Sequence, residues 1–361
     1  MKMQRIRLPD NRVSWTVLDD DQKPVAPIDE FLRYLETIDR SPNTVRAYAQ
    51  HLLTFWQYGE QNQIDWQRVS IAQMVQFTQW LRQPKPDVIP LRPETQPLGR
   101  KPSTINAIVS GVISFYQYHE STGRLPLTAR NTKPARYQPF LAGIADHEQL
   151  PFTGPVPKKA PPILTAEQVQ TLIAACGQKR DQFLLALLYQ TGMRIGQALG
   201  LRLVDMEGEH HRIRIVPRDD NTNGMRAKTD TEYVVHISDG LLSYYDDYLI
   251  QEYPDIDIES NIENYVFVVL KGDSSGQPLT YPAVVSLFNR LSNKTGIKTH
   301  PHVFRHTHVT ELHQAGVDLK IIQERVGHKS IQTTMNTYVH LTEDNFNREI
   351  QDYIRGKNND R

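Results

Sequence analysis

The chain has 361 residues, which is more than one hydrophobic core needs and predicts two domains, of about 120 and about 200 residues. No apolar run approaches the roughly 18 residues of a spanning helix, the start Met1-Lys2-Met3-Gln4-Arg5-Ile6-Arg7 has no apolar signal segment behind it, and the single Cys176 excludes a disulfide framework and a cysteine-ligated structural metal, so a cytoplasmic protein is expected. The 41 basic side chains balance the 41 acidic ones, but residues 25–140 hold 13 Lys or Arg against 9 Asp or Glu, a local excess that permits a phosphate-facing surface.

Residues 1–24 are an N-terminal extension to which the pattern assigns no element. From there to 149 the chain is expected to be helical. Ser41-Pro42-Asn43-Thr44 has the form of a helix start, followed by Val45, Tyr48, Leu52, Phe55 and Trp56 at three- and four-residue steps. Residues 71–81 give a second helix, and Ser103-Thr104-Ile105-Asn106 opens another through Val109, Val112, Ile113 and Tyr116. The proline-rich stretch 150–162 reads as an interdomain linker, because its prolines block helix and strand alike.

A second domain is expected over 163–342. Thr165-Ala166-Glu167-Gln168 fits a capping box, and Phe183 to Leu188 is apolar enough to be buried on most sides. The period then changes to two: Arg212-Ile213-Arg214-Ile215-Val216 and Glu232-Tyr233-Val234-Val235-His236-Ile237 alternate as strands of a hairpin with a long tip over 221–228. Helices return from Tyr281, with breaks at Gly296, Gly316 and Gly327, and the tail 343–361 carries a narrow stripe of Phe346, Ile350 and Ile354. This domain reads as mainly helical with a small sheet.

Three groups of residues carry chemistry. In Thr191-Gly192-Met193-Arg194 an arginine opens a helix after a buried one ends, where its planar fork and the nearby backbone N–H groups suit phosphate oxygens; a structural salt bridge or helix cap is the plainer alternative. His300-Pro301-His302-Val303-Phe304-Arg305-His306-Thr307-His308 puts four histidines in nine residues. His302 and His306 could share a zinc ion, although no glutamate stands between them as a general base. Alternatively His302 and Arg305, three apart on one helical face, reach the same anion and leave His306 and His308 structural. The third group is Gly327-His328 with Thr337-Tyr338-Val339-His340.

Each group alone is weak, but their order resembles that of the tyrosine recombinase, or phage integrase, family over nearly the whole chain. The resemblance implies an all-α, SAM-like core-binding domain and a mixed α+β catalytic domain with a small antiparallel sheet. It makes Tyr338 the nucleophile, gathers Arg194, His302, Arg305 and His328 around a scissile phosphate, and equates Lys228 with the family's hairpin lysine. The stretch 218–228 also looks like the hairpin of transposon-borne members. Double-stranded DNA is the implied partner, bound as a homotetramer on two sites, with accessory recombination proteins; the tail 343–361 either packs on its own domain or, as the resemblance implies, lies at a contact between protomers. Gln197 departs from the pattern, since many members carry an acid there; it keeps a hydrogen bond and loses a charge.

The set is chemically coherent. Two arginines with imidazole donors stabilise charge growing on phosphate oxygens without a metal, and a phosphotyrosine ester conserves bond energy without a nucleotide cofactor. Tyrosine, with a pKa near 10, must lose a proton and the departing 5′ oxygen must gain one, for which His302 and Lys228 are the respective candidates. Arg226, also in the tip, is too basic to donate readily. The expected function is therefore site-specific recombination through a 3′-phosphotyrosyl intermediate, for integration, excision or transposition of a mobile element. The alternatives are a catalytically impaired DNA-binding accessory protein and a metal-dependent nuclease using the histidine run.

Overall fold

The computed structural model describes residues 1–8, 13–84, 99–125, 162–218, 220–227, 229, 231–254 and 264–327. Residues 150–161 of the linker expected over 150–162, Lys228, His328, Tyr338 and the tail 343–361 lie outside them. The chain divides into two compact units, Met1–Lys158 and Lys159–Arg361.

The first unit holds helices α1 (Ala26–Thr37), α2 (Pro42–Gln61), α3 (Ile71–Arg82) and α4 (Pro102–Ser121). Helix α2 starts as the sequence predicts, with Pro42 in its first turn and the Ser41 hydroxyl accepting from the Thr44 N–H. Helix α3 opens with a reciprocal capping box between Ser70 and Gln73. Helix α4 begins a residue before Ser103, on Pro102, whose missing N–H costs nothing in a first turn. Phe31, Leu52, Phe55, Met74, Phe77, Val109, Val112 and Phe115 form the core, with Phe115 meeting Phe31 and Trp56 edge to face at 5.8 and 5.9 Å.

The extension 1–24 is not featureless. Strands β1 (Lys2–Arg7) and β2 (Val13–Leu18) pair antiparallel, with Met3 opposite Val17 and Arg5 opposite Trp15, so the described residues of 26–121 are helical as expected and a hairpin is added to them. Ser14 and Thr16 are buried and donate to the carboxylates of Glu36 and Asp29 on α1, the latter at 3.0 Å, which satisfies their hydroxyls and fixes β2 on the helix.

The second unit is built around α6 (Lys179–Thr191), flanked by α5 (Ala166–Ala175), α8 (Asp239–Gln251) and α10 (Pro301–Gln314). Residues Phe183 to Leu188 are all buried, which is why this helix shows no polar face in the sequence. The Thr165–Gln168 capping box opens α5 as expected. After the one-turn helix α7 (Ile195–Ala198), strands β3 (Met206–Glu207), β4 (Arg212–Ile215) and β5 (Tyr233–His236) form a sheet in the order β3-β4-β5, with Arg212 opposite His236 and Ile215 opposite Tyr233. Helix α9 (Tyr281–Thr295) ends on left-handed Gly296, and α11 (Leu319–Val326) ends on left-handed Gly327. Among the described residues, no helix is long and apolar enough to cross a membrane.

Candidate active site

Arg194 and Arg305, 111 residues apart in sequence, come together at the end of α11. Arg194 flanks α7 in an extended conformation, and its Nη1 donates to the Gly327 carbonyl at 3.0 Å. Arg305 is 3% exposed on α10 and donates from Nη1 to the Gly192 carbonyl and from Nη2 to the Val326 carbonyl, both at 2.8 Å. The two guanidinium groups therefore rest on consecutive peptide carbonyls. Carbonyls at a helix C-terminus carry partial negative charge, so they orient a cation without cancelling it. Gly192 must be glycine twice over: its φ is +63°, and an added Cβ would meet His308 Cδ2 at 2.5 Å.

Gln197 closes a ring around Arg194. The amide is 2% exposed; its Oε1 accepts from the Arg194 backbone N–H and its Nε2 donates to the Tyr233 hydroxyl, both at 2.8 Å. That hydroxyl presses on Gly327, where an added Cβ would come within 2.8 Å of it. The hydrogen bond expected of Gln197 is present, but it acts on the arginine's backbone rather than on its charge. Burial lowers the pKa of Arg194 and raises that of Tyr233.

His302 lies one turn before Arg305 on α10, and its ring stacks on that of His306 with centroids 5.5 Å apart. Desolvation, reinforced by His306, Arg305, His300 and Arg194, pushes its pKa down to about 4, so it is a neutral imidazole at physiological pH, with a lone pair on one ring nitrogen. His308 is buried beside Gly192, and its Nε2 accepts from Arg325 Nε at 3.1 Å. Among the described residues, no three His, Cys, Asp or Glu side chains converge to hold a metal.

The root of the hairpin tip is tied down. Arg218 grips the fully buried Asp205 carboxylate through both Nη atoms at 2.6 and 2.8 Å. The Asn223 amide donates to the carbonyls of Leu199 and Leu279 at 2.9 and 3.1 Å, while its Oδ1 accepts from the Met225 N–H. These anchors, and the contacts that Tyr233 and Arg325 make around the paired arginines, are features that the motif order does not disclose. Of the six catalytic candidates, Arg194, His302 and Arg305 are among the described residues; Lys228, His328 and Tyr338 are outside them.

Residues 162–345 match the model of the phage integrase family, and residues 28–123 match that of the phage integrase N-terminal SAM-like domain. Transposase A from transposon Tn554 of Staphylococcus aureus is 34% identical over 99% of both chains. Tyrosine recombinase XerA of Pyrococcus furiosus is 25% identical over 85% of this chain and 87% of its own. Among solved structures, the Tn1549 transposon integrase in complex with a circular intermediate DNA superposes with a TM-score of 0.65 at 18% identity, covering 91% of this chain and 99% of that one. The XerH recombinase bound to a palindromic difH substrate gives 0.60 at 19%, covering 86% and 79%.

The family match and the full-length relative thus define a DNA strand-transfer enzyme. The chain belongs to the phage integrase family; it is a tyrosine recombinase, which cleaves and rejoins DNA strands.

Proposed function

We propose that this recombinase moves a mobile element, in line with the full-length likeness to a transposon's transposase, and that Tyr338, Arg194, Lys228, His302, Arg305 and His328 perform its chemistry. The observation that carries the reading is the placement of Arg194 and Arg305 on adjacent carbonyls, beside a neutral His302. Tyr338 Oη attacks the scissile phosphorus and gives its proton to His302, and the bond from phosphorus to the 5′ oxygen breaks. Lys228 supplies the proton that the 5′ oxygen takes up. The arginines, with His328 as a further donor, meet the charge on the nonbridging oxygens, worth about a hundredfold or more in rate for each lost donor. The tyrosyl–3′-phosphate ester is then attacked by the 5′ hydroxyl of another strand, in the reverse sense. Exchange between two duplexes needs four such sites, hence a homotetramer on two DNA sites.

Tyr338→Phe removes one oxygen and little surface. Incubated with a nicked suicide substrate and run on a denaturing gel, the variant is expected to bind DNA and form no covalent adduct; an adduct that persists refutes the assignment. Truncation before 343 is expected to spare single-site binding and to weaken assembly on two-site DNA in the ultracentrifuge, and an unchanged tetramer refutes the tail's role between protomers.

A further inference from the structure

The two clamp arginines lean on the last carbonyls of α11, so whatever fixes that end of the helix fixes both. Arg325 is the neighbouring residue, and its guanidinium is turned inward to three different elements. Its Nε donates to His308 Nε2 on α10 at 3.1 Å, and its Nη2 donates to the Gln190 carbonyl on α6 at 3.0 Å and to the His236 carbonyl at the end of β5 at 3.3 Å. Its acceptors are an imidazole and two carbonyls, which position it by direction and not by charge.

His308 is chosen for this contact by its surroundings. Burial, then the charges of Arg325 and Arg305, hold its pKa near about 4, so the ring stays neutral and keeps a lone pair on Nε2 for Arg325, while the Tyr189 backbone hydrogen-bonds the ring from α6. The same imidazole packs on Gly192, whose carbonyl receives Arg305. A chain of contacts thus runs from Arg325 through His308 to Gly192, and from Arg325 along the backbone to Val326 and Gly327. The first route ends on an acceptor of Arg305, and the second on acceptors of both Arg305 and Arg194.

We infer that Arg325, braced by His308, is a positioning residue that sets the two arginines at the spacing required by the scissile phosphate, without touching the DNA itself. The inference rests on the reading of Arg194 and Arg305 as the phosphate clamp. A misplacement of about 1 Å at such a site costs on the order of a hundredfold in rate, whereas the affinity for the remainder of the DNA does not depend on it.

The test compares single-turnover cleavage by full-length Arg325→Gln and wild type on two substrates, one with the ordinary scissile phosphodiester and one with an uncharged methylphosphonate there. On the phosphodiester the variant is expected to lose about tenfold to a hundredfold in rate with DNA affinity changed by less than about threefold. On the methylphosphonate, where there is no phosphate charge to clamp, the loss is expected to shrink to about threefold or less. Equal losses on both substrates overturn the proposal and make Arg325 an ordinary fold contact. Arg194→Ala is run beside it: if its own loss fails to depend on the phosphate charge, the clamp reading falls, independently of Arg325. Should Arg325→Gln not fold, His308→Gln, which keeps an acceptor, is compared with His308→Leu, which has none. The charge-dependent loss is expected in the leucine variant alone, and indistinguishable rates refute the bracing role.

Discussion

The catalytic unit buries arginines in two different ways. In one, Arg180 is 8% exposed and holds the Asp181 carboxylate through Nε and Nη2, and Arg218 holds fully buried Asp205. At the α10–α11 side, Arg194 and Arg325 make no ion pair among the described residues, and Arg305 reaches out to two carbonyls. The first arrangement neutralises the cation where it sits. The second directs the cation through main-chain carbonyls and an imidazole instead of a carboxylate. Residues of the same type thus separate by the chemistry of their acceptors, and on the proposed reading the carboxylate-held ones are structural while the carbonyl-held ones serve the site, a division that burial alone does not reveal.

The strongest challenge to that division is Asp205→Asn. It strands the Arg218 charge against a buried neutral amide, and a stability loss of about 3–5 kcal/mol by urea unfolding is expected; a loss under about 1 kcal/mol would mean that solvent or another group already compensates Arg218. Arg194→Lys should do the opposite, lowering cleavage about a hundredfold to a thousandfold, because a point charge cannot reproduce a bidentate contact, while unfolding stays within about 1 kcal/mol of wild type. Near-normal turnover in this variant would return Arg194 to the structural group.

The pH dependence sharpens the same contrast. His308 titrates at about 4 in the fold, against 6.5 for an ordinary histidine. Between those values the unfolded chain holds a proton that the native one refuses, so the contribution is complete above about pH 6.5 and is lost as the pH falls toward 4. Thermal unfolding of wild type should therefore lose on the order of 2 kcal/mol more than His308→Gln across that window, and parallel profiles would show that the imbalance lies elsewhere. The smallest effect belongs to the first unit, where carboxylates serve hydroxyls. Thr16→Val should cost about 1 kcal/mol and quicken proteolysis of the hairpin, and unchanged proteolysis would show that the strand is held by apolar contact alone.

Legibility in the sequence follows the range of the interaction. Ser41, Thr165, Gly192, Gly296 and Gly327 are readable because a cap or a left-handed residue acts within one helical turn. Arg194, His302 and Arg305 are readable through their order and spacing. Tyr233 and Arg325 are not, since their acceptors and donors lie 36 and as many as 135 residues away. Helix α1 lacks one such signal, since its N-cap Val25 offers no side-chain cap, although Pro27 and Asp29 stand in its first turn and Ile28, Phe31, Leu32 and Leu35 recur at helical steps. Strand β1 escapes because charged residues crowd it: Met3 and Ile6, its half-buried positions, are three apart instead of two.

One consequence follows from the carbonyl seats at the end of α11. Main-chain oxygens are supplied by every amino acid, so drift among aliphatic residues at Val326 leaves the seats in place. Changes of length do not. Helix α11 has eight residues, and removing or adding one turns its end by about 100° and shifts it by about 1.5 Å, carrying both oxygens away from their arginines together. Across the relatives of this chain, insertions and deletions should therefore be purged from 319–327 far more strictly than substitutions, leaving a segment of constant count and variable spelling.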